Sequence, residues 1–154
     1  MREIRGDAKS IRNLLSGAKF AIDYYQREYR WEKKQVAELI NDLAEKFEES
    51  HEDSNERSAV GDYGHYFLGS IIISDKDGQK FIIDGQQRLT SLTLLLIYLH
   101  RQLKDDQQKG QLADLIFSMK FGKRSFNLDV PERTPCMDAL FTGRPLTIMD
   151  SLSR

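Results

Sequence analysis

A single domain that mixes helices with a few strands is what this sequence predicts, and three observations predict it. Residues 32–49 place Val36, Leu39, Ile40, Leu43 and Phe47 at helical spacing. Two strand-like runs, Tyr66 to Ser74 and Gln79 to Asp84, flank Asp75-Lys76-Asp77-Gly78, whose last two residues tolerate positive φ and suit a hairpin turn. A leucine-rich run follows directly on Gly85 and is apolar nearly all round, as in a helix buried at its middle.

The remaining elements follow in chain order. Asp7 to Ser16 sets Ala8, Ile11, Leu14 and Leu15 on one side and stops near Gly17, which predicts a first amphipathic helix. A short strand, Lys19 to Ile22, leads into an aromatic loop, and Glu32 to about Glu49 forms the most secure helix, with a charged outer face. Ser50 to Gly64 is polar, acidic and without period, which predicts a mobile loop. The hairpin then delivers Asp84 to the mouth of a helix running from Gln86 to about Leu103 through Leu89, Leu92, Leu95, Leu96 and Leu99. Leu112, Leu115, Ile116 and Met119 mark another short helix, Ser125 to Val130 a last strand, and Leu140 to Met149 an apolar stretch. No internal repeat or low-complexity tract occurs.

Composition bounds the partners. With 154 residues the chain buries one real core, and 40% hydrophobic and 31% charged residues are those of a cytoplasmic globular domain. The net charge is −1, so no overall basic field holds DNA and any contact with it is local. Two basic groups stand out, Arg27, Arg30, Lys33 and Lys34 beside Glu28 and Glu32, and Lys120, Lys123 and Arg124; taken singly, each reads as a solvated face. The single cysteine, Cys136, excludes an intrachain disulfide and a zinc–cysteine cluster and reads as a small packing residue. Met1 to Ser10 lacks the apolar core of a signal peptide, and Leu92 to Leu99 is too short to span a bilayer. His51 and His65 flank the polar loop, but no carboxylate or cysteine spacing makes them a metal pair.

Two clusters carry chemistry. Ile82-Ile83-Asp84-Gly85-Gln86-Gln87-Arg88-Leu89-Thr90 brings a strand, a glycine turn and a polar cluster to the start of a helix. A helix N-terminus offers N–H groups and a positive dipole end, Gly85 permits a tight turn, and Arg88 can make a bidentate phosphate contact. Taken alone the pattern fits an ordinary turn, with Asp84 capping the helix, as well as it fits an anion site. The second cluster, Asp23-Tyr24-Tyr25-Gln26-Arg27-Glu28-Tyr29-Arg30-Trp31, has no clean period, so its aromatics cannot all face a core. Tyr24, Tyr25 and Trp31 are expected to be at least partly packed, and Gln26 and Arg27 to touch ligand.

Together with Leu68-Gly69-Ser70-Ile71 between them, these clusters resemble the N-terminal domain of the GmrSD-type restriction endonucleases, through a YQR-x-Y-x-W segment, a Gly-x-Ile strand and a DGQQR-L-T-x-L signature. The resemblance runs over residues 20–99, and the family's usual proline is replaced by Asp23. It implies an α+β fold of the ParB and sulfiredoxin-like type, with a small mixed sheet packed by helices, that binds and hydrolyses nucleoside triphosphates with Mg²⁺. In full-length relatives this domain is joined to an HNH-type nuclease domain, and those relatives restrict modified foreign DNA. The three histidines here form no HNH pattern. The chain therefore reads as an N-terminal domain whose nuclease lies in a missing C-terminal part or a partner chain.

On that resemblance the expected catalytic residues are Asp84, Gln87 and Arg88, with Asp84 holding Mg²⁺ or orienting water and Arg88 neutralising charge on the transferred phosphoryl group. Gln26, Arg27, Gly85 and Gln86 are expected to bind the nucleotide. The alternative is a non-enzymatic module that reads DNA with Tyr25, Arg30 and Trp31 by stacking and phosphate contact.

Overall fold

The main sheet is built around β1 (Phe20–Ile22), all three of whose residues are buried, and its partner β3 (Gln79–Asp84). In the computed structural model, which describes residues 4–26 and 28–145, β1 pairs in parallel with β3, so that Ile22 lies opposite Ile82. β2 (Ile72–Lys76) joins antiparallel to β3 through the Asp77-Gly78 turn, giving the order β1-β3-β2. Both turn residues take positive φ, 55° and 76°, as that dipeptide allows. On its other side β1 is flanked by residues 127–129: the Phe20 N–H donates to the Asn127 carbonyl at 2.7 Å and the Asp129 N–H to the Phe20 carbonyl at 2.8 Å. A second sheet pairs β4 (Phe117–Lys120) with β5 (Lys123–Phe126) antiparallel. Mixed small sheets packed by helices make this an α+β fold.

The chain packs as two units, residues 1–27 with 71–154, and residues 28–70. In the first, α1 (Ile11–Leu15), α3 (Gln86–Gln102), α4 (Asp106–Ile116) and α5 (Thr134–Thr142) close over the strands. The core joins Leu15, Phe20, Ile22, Ile82, Leu89, Ile97, Ile116, Leu128, Val130 and Met137, each at most 1% exposed. Asn127 is buried among them, and its Nδ2 donates to the carbonyls of Leu15 and Leu115, both at 3.0 Å. α3 and α5 meet along their lengths, where the His100 ring lies 4.8 Å from Phe141.

Several expectations change. α1 is shorter than the run from Asp7 to Ser16, because the Ser10 hydroxyl caps it by accepting from the Asn13 N–H at 3.2 Å, which leaves Ala8 outside and exposed. β2 starts at Ile72 and not at Tyr66, since Gly69 takes φ 90° and breaks the extended run. α4 ends at Ile116, and Met119 stands exposed on β4. Here cross-strand pairing decides: Phe117 stacks on Phe126 with centroids 4.6 Å apart. The expected strand from Ser125 to Val130 divides between two partners, β4 up to Phe126 and β1 beyond it. In α3 the buried face holds Leu89, Thr90, Thr93 and Ile97, while Leu99 is exposed. α5, absent from the sequence expectation, is ended by Gly143 at φ 74°; the rest of the expected apolar stretch, from residue 146, lies outside the described residues.

Cys136 is exposed on α5 and is not a packing residue. It should therefore react with a small disulfide reagent in the native protein as fast as after unfolding, and slow native labelling would contradict this placement.

His100 gives a pH dependence. Burial against Phe141, with the cations Lys109 and Arg124 nearby, lowers its pKa from the usual 6.5. Both folded and unfolded chains are neutral there above that value, so the stability is fully present at neutral pH. It is lost as pH falls below about 6.5, where the unfolded chain binds the proton first. The melting temperature should drop as pH falls below about 6.5, and His100→Gln should reduce that drop; equal drops in both proteins would rule this out.

In the second unit, α2 (Lys33–Glu48) begins where the Glu32 N–H donates to Gln35 Oε1 at 3.0 Å. Of its apolar stripe Leu39 is buried, while Ile40 and Phe47 are exposed. The segment expected to be a mobile loop is tied to the end of this helix. His51 stacks on Phe47 with centroids 4.8 Å apart, and Tyr63 Oη meets His51 Nδ1 at 3.0 Å and Asn55 Nδ2 at 2.9 Å. The physical reason is local side-chain contact, which leaves no periodic trace in the sequence.

Candidate functional site at the carboxyl ends of two parallel strands

Because β1 and β3 run in the same direction, the chain leaves both at one end of the sheet. Residues that follow β1, Tyr24 to Gln26, form a 3-10 turn in which the Gln26 N–H donates to the Asp23 carbonyl at 2.8 Å. Asp23, just ahead of this turn, makes an ion pair with Lys76 at 3.5 Å. Residues that follow β3 start α3. Gly85 is its N-cap at φ 86° and ψ 10°, a left-handed conformation that glycine adopts without steric cost. Ligand sites of open α/β sheets favour this end of parallel strands for the same geometric reason.

The helical ladder starts with the Leu89 N–H donating to the Gly85 carbonyl at 2.9 Å. The N–H groups of Gln86, Gln87 and Arg88 therefore lie ahead of the ladder, at the positive end of a helix of 17 residues. Asp84 is exposed, and its Oδ1 accepts the Gly85 N–H at 2.9 Å. That bond goes to the residue before the helix, and Gly85, the N-cap itself, has no side chain to cap the first turn. Gln86, Gln87 and Arg88 are half-buried. The carboxamide oxygens of Gln26 and Gln86 are both buried with no hydrogen-bond partner. Each lies four positions beyond one of the paired residues Ile22 and Ile82. A buried acceptor without a donor costs about 1–3 kcal/mol, so two at one end of a sheet mark a place where stability is given up.

The fold thus brings Gln26, Asp84, Gly85, Gln86, Gln87 and Arg88 to the same end of the sheet, and Tyr25 with them. Tyr24 and Tyr25 are 74% and 94% exposed, with their rings edge to face at 6.0 Å; neither is packed as expected. A 3-10 turn of three residues has no apolar face to bury them. Arg27 lies outside the described residues. Arg30 and Trp31 belong to the other unit, where Arg30 pairs with Glu28 at 3.1 Å and Trp31 is half-buried.

Sequence reasoning missed two residues beneath the site. The buried Arg133, N-cap of α5, donates through Nη1 to Thr90 Oγ1, which donates to the Gln86 carbonyl at 2.7 Å. The first turn of α3 is thereby tied to α5. No sequence signal marks this link, since Arg133 follows Pro131-Glu132 like any loop cation.

A family model described as the GmrSD restriction endonuclease, N-terminal domain, matches residues 11–138. The chain belongs to this family. Its match covers α1 through most of α5 and so includes every described element of the site. The GmrSD membership makes the chain a component of a restriction system. No curated protein matches the chain significantly. Among the described residues no helix of this GmrSD domain is long and apolar enough to cross a membrane, and no cluster of three or more histidine, cysteine or acidic side chains is arranged to hold a metal.

Proposed function

We propose that this GmrSD domain binds and hydrolyses a nucleoside triphosphate at the start of α3, as the regulatory part of a restriction system acting on modified foreign DNA. The observation that carries this reading is the two unsatisfied carboxamide oxygens of Gln26 and Gln86, in the segments that follow two paired parallel strands, together with a helix N-terminus built on Gly85. A nucleotide is a ligand with both kinds of complementary group. Its phosphates are anions suited to the helix end and Arg88, and its ribose hydroxyls and base amines are donors suited to the two oxygens.

Mg²⁺ fits this arrangement. The ion commonly binds through one or two carboxylates plus substrate phosphates, and Asp84 offers one exposed carboxylate at the turn. When bound, Mg²⁺ neutralises phosphate charge. Arg88 stabilises charge on the transferred group, Gln87 orients the attacking water, and Gln26, Arg27 and Gln86 hold the nucleotide. An HNH-type nuclease, on a further domain or partner chain, does the cutting.

The test is nucleotide binding and turnover by the whole chain with Mg²⁺, across the four ribonucleoside triphosphates. Saturable binding with turnover supports the proposal. Absence of both, with DNA bound and binding lost in Tyr25→Ala, favours a DNA-reading module, the second reading that the 94% exposure of Tyr25 recommends.

A further inference from the structure

The β4–β5 hairpin tip carries two locally unfavourable choices. Phe121 holds φ 50°, a left-handed conformation that bulky side chains rarely adopt, and Gly122 follows at 73°. Its ring is 95% exposed. Lys120 and Lys123 stand directly opposite each other across the strands, a like-charge pairing that destabilises a hairpin. The equivalent turn between β2 and β3 uses Asp77-Gly78, which suits that geometry. Local rules broken together, with no packing gained, point to a function at the tip.

The tip lines an open groove of about 560 Å³ together with Ala18, Phe20 and the Asp77-Gly78 turn. Lys19, Lys80 and Lys120 line it with Asp77 and Asp129. Lys19 Nζ is anchored by donating to the carbonyls of Ser118, Ser125 and Phe126 at 2.9–3.2 Å, and Lys120 pairs with Asp129 at 3.0 Å. Lys80 and Lys123 are exposed, and Arg124 lies over the Phe117 ring. Positive charge is therefore in local excess on a chain of net charge −1.

We infer that this groove and hairpin bind a nucleic acid strand, with Phe121 stacking on a base while Lys80 and Lys123 contact phosphates. Cations flanking a solitary exposed aromatic match a strand that alternates phosphate and base, and the groove holds a chain segment where a flat headgroup surface would touch the tip alone. The site lies at the amino ends of β1 and β3, opposite the nucleotide site, and does not depend on that proposal.

The experiment is fluorescence anisotropy of the whole chain with a labelled mixed-sequence single-stranded DNA, at low and physiological salt. Wild type is expected to bind, more weakly as salt rises. Lys80→Glu with Lys123→Glu should weaken binding about tenfold or more and flatten the salt dependence. Phe121→Asn creates the favoured Asn-Gly turn, so it should raise the melting temperature by about 2–4 °C while weakening binding about fivefold or more. A purely structural role would not separate those two effects. Nucleotide turnover should be unchanged in all hairpin variants, which keeps the two sites distinguishable. The inference is overturned if wild type fails to bind at low salt, or if the hairpin variants bind like wild type. It is equally overturned if Tyr25→Ala alone abolishes binding, or if phosphatidylserine vesicles and not DNA respond to the same substitutions.

Discussion

Arg88→Ala is expected to lower kcat/KM for nucleoside triphosphate hydrolysis by about 10²–10³-fold, the loss found when one preorganised donor to developing charge is removed. Arg88 is the third residue of α3, in the first turn at the positive end of the helix, and is half-buried, so water is partly excluded around it. Asp84→Ala should cost a comparable factor, and added Mg²⁺ should recover part of its activity if the carboxylate is a metal ligand. Both variants should keep the wild-type circular dichroism spectrum, because neither residue belongs to the buried core. Turnover retained in Asp84→Ala, with only a lowered melting temperature, would assign the carboxylate to its bond with the Gly85 N–H and sink its catalytic role.

Asn127→Ala is expected to destabilise the fold by about 2–4 kcal/mol, since two buried hydrogen bonds disappear and two carbonyls lose their donor. At this chain length that lowers the melting temperature by about 5–15 °C. The side chain ties the end of α1 to the end of α4, and its backbone bonds both Phe20 and Ile116. One residue thus joins three segments of the first unit, α1, β1 and α4. Urea titration checks the expectation, and a loss below about 1 kcal/mol would show that water replaces the amide.

How far the site could be read from sequence follows from how each part is encoded. The turn at Gly85 was legible because strand, glycine and helix adjoin in the chain, and the Asp77-Gly78 hairpin for the same reason. The exposure of Tyr24 and Tyr25 was not, because an aperiodic segment carries no face assignment. Met119 shows the limit of periodicity: its spacing from Ile116 fits a helix, yet pairing with β5 draws the chain into a strand. Asn127 and Arg133 gave no signal at all, since a lone polar residue becomes structural only when distant segments close around it.

The sequence by itself determined the family, the α+β content and the glycine turn that starts α3, all properties of short contiguous stretches whose conformational preferences are local. Tertiary structure alone decided that β1 and β3 run parallel, which brings Gln26 to the same end of the sheet as Gln86. It also decided that residues 127–129 flank β1, and that the tip at Phe121 stands beside Lys19 and Lys80. These juxtapositions join residues tens of positions apart, and only burial of a shared core makes such long-range closure favourable.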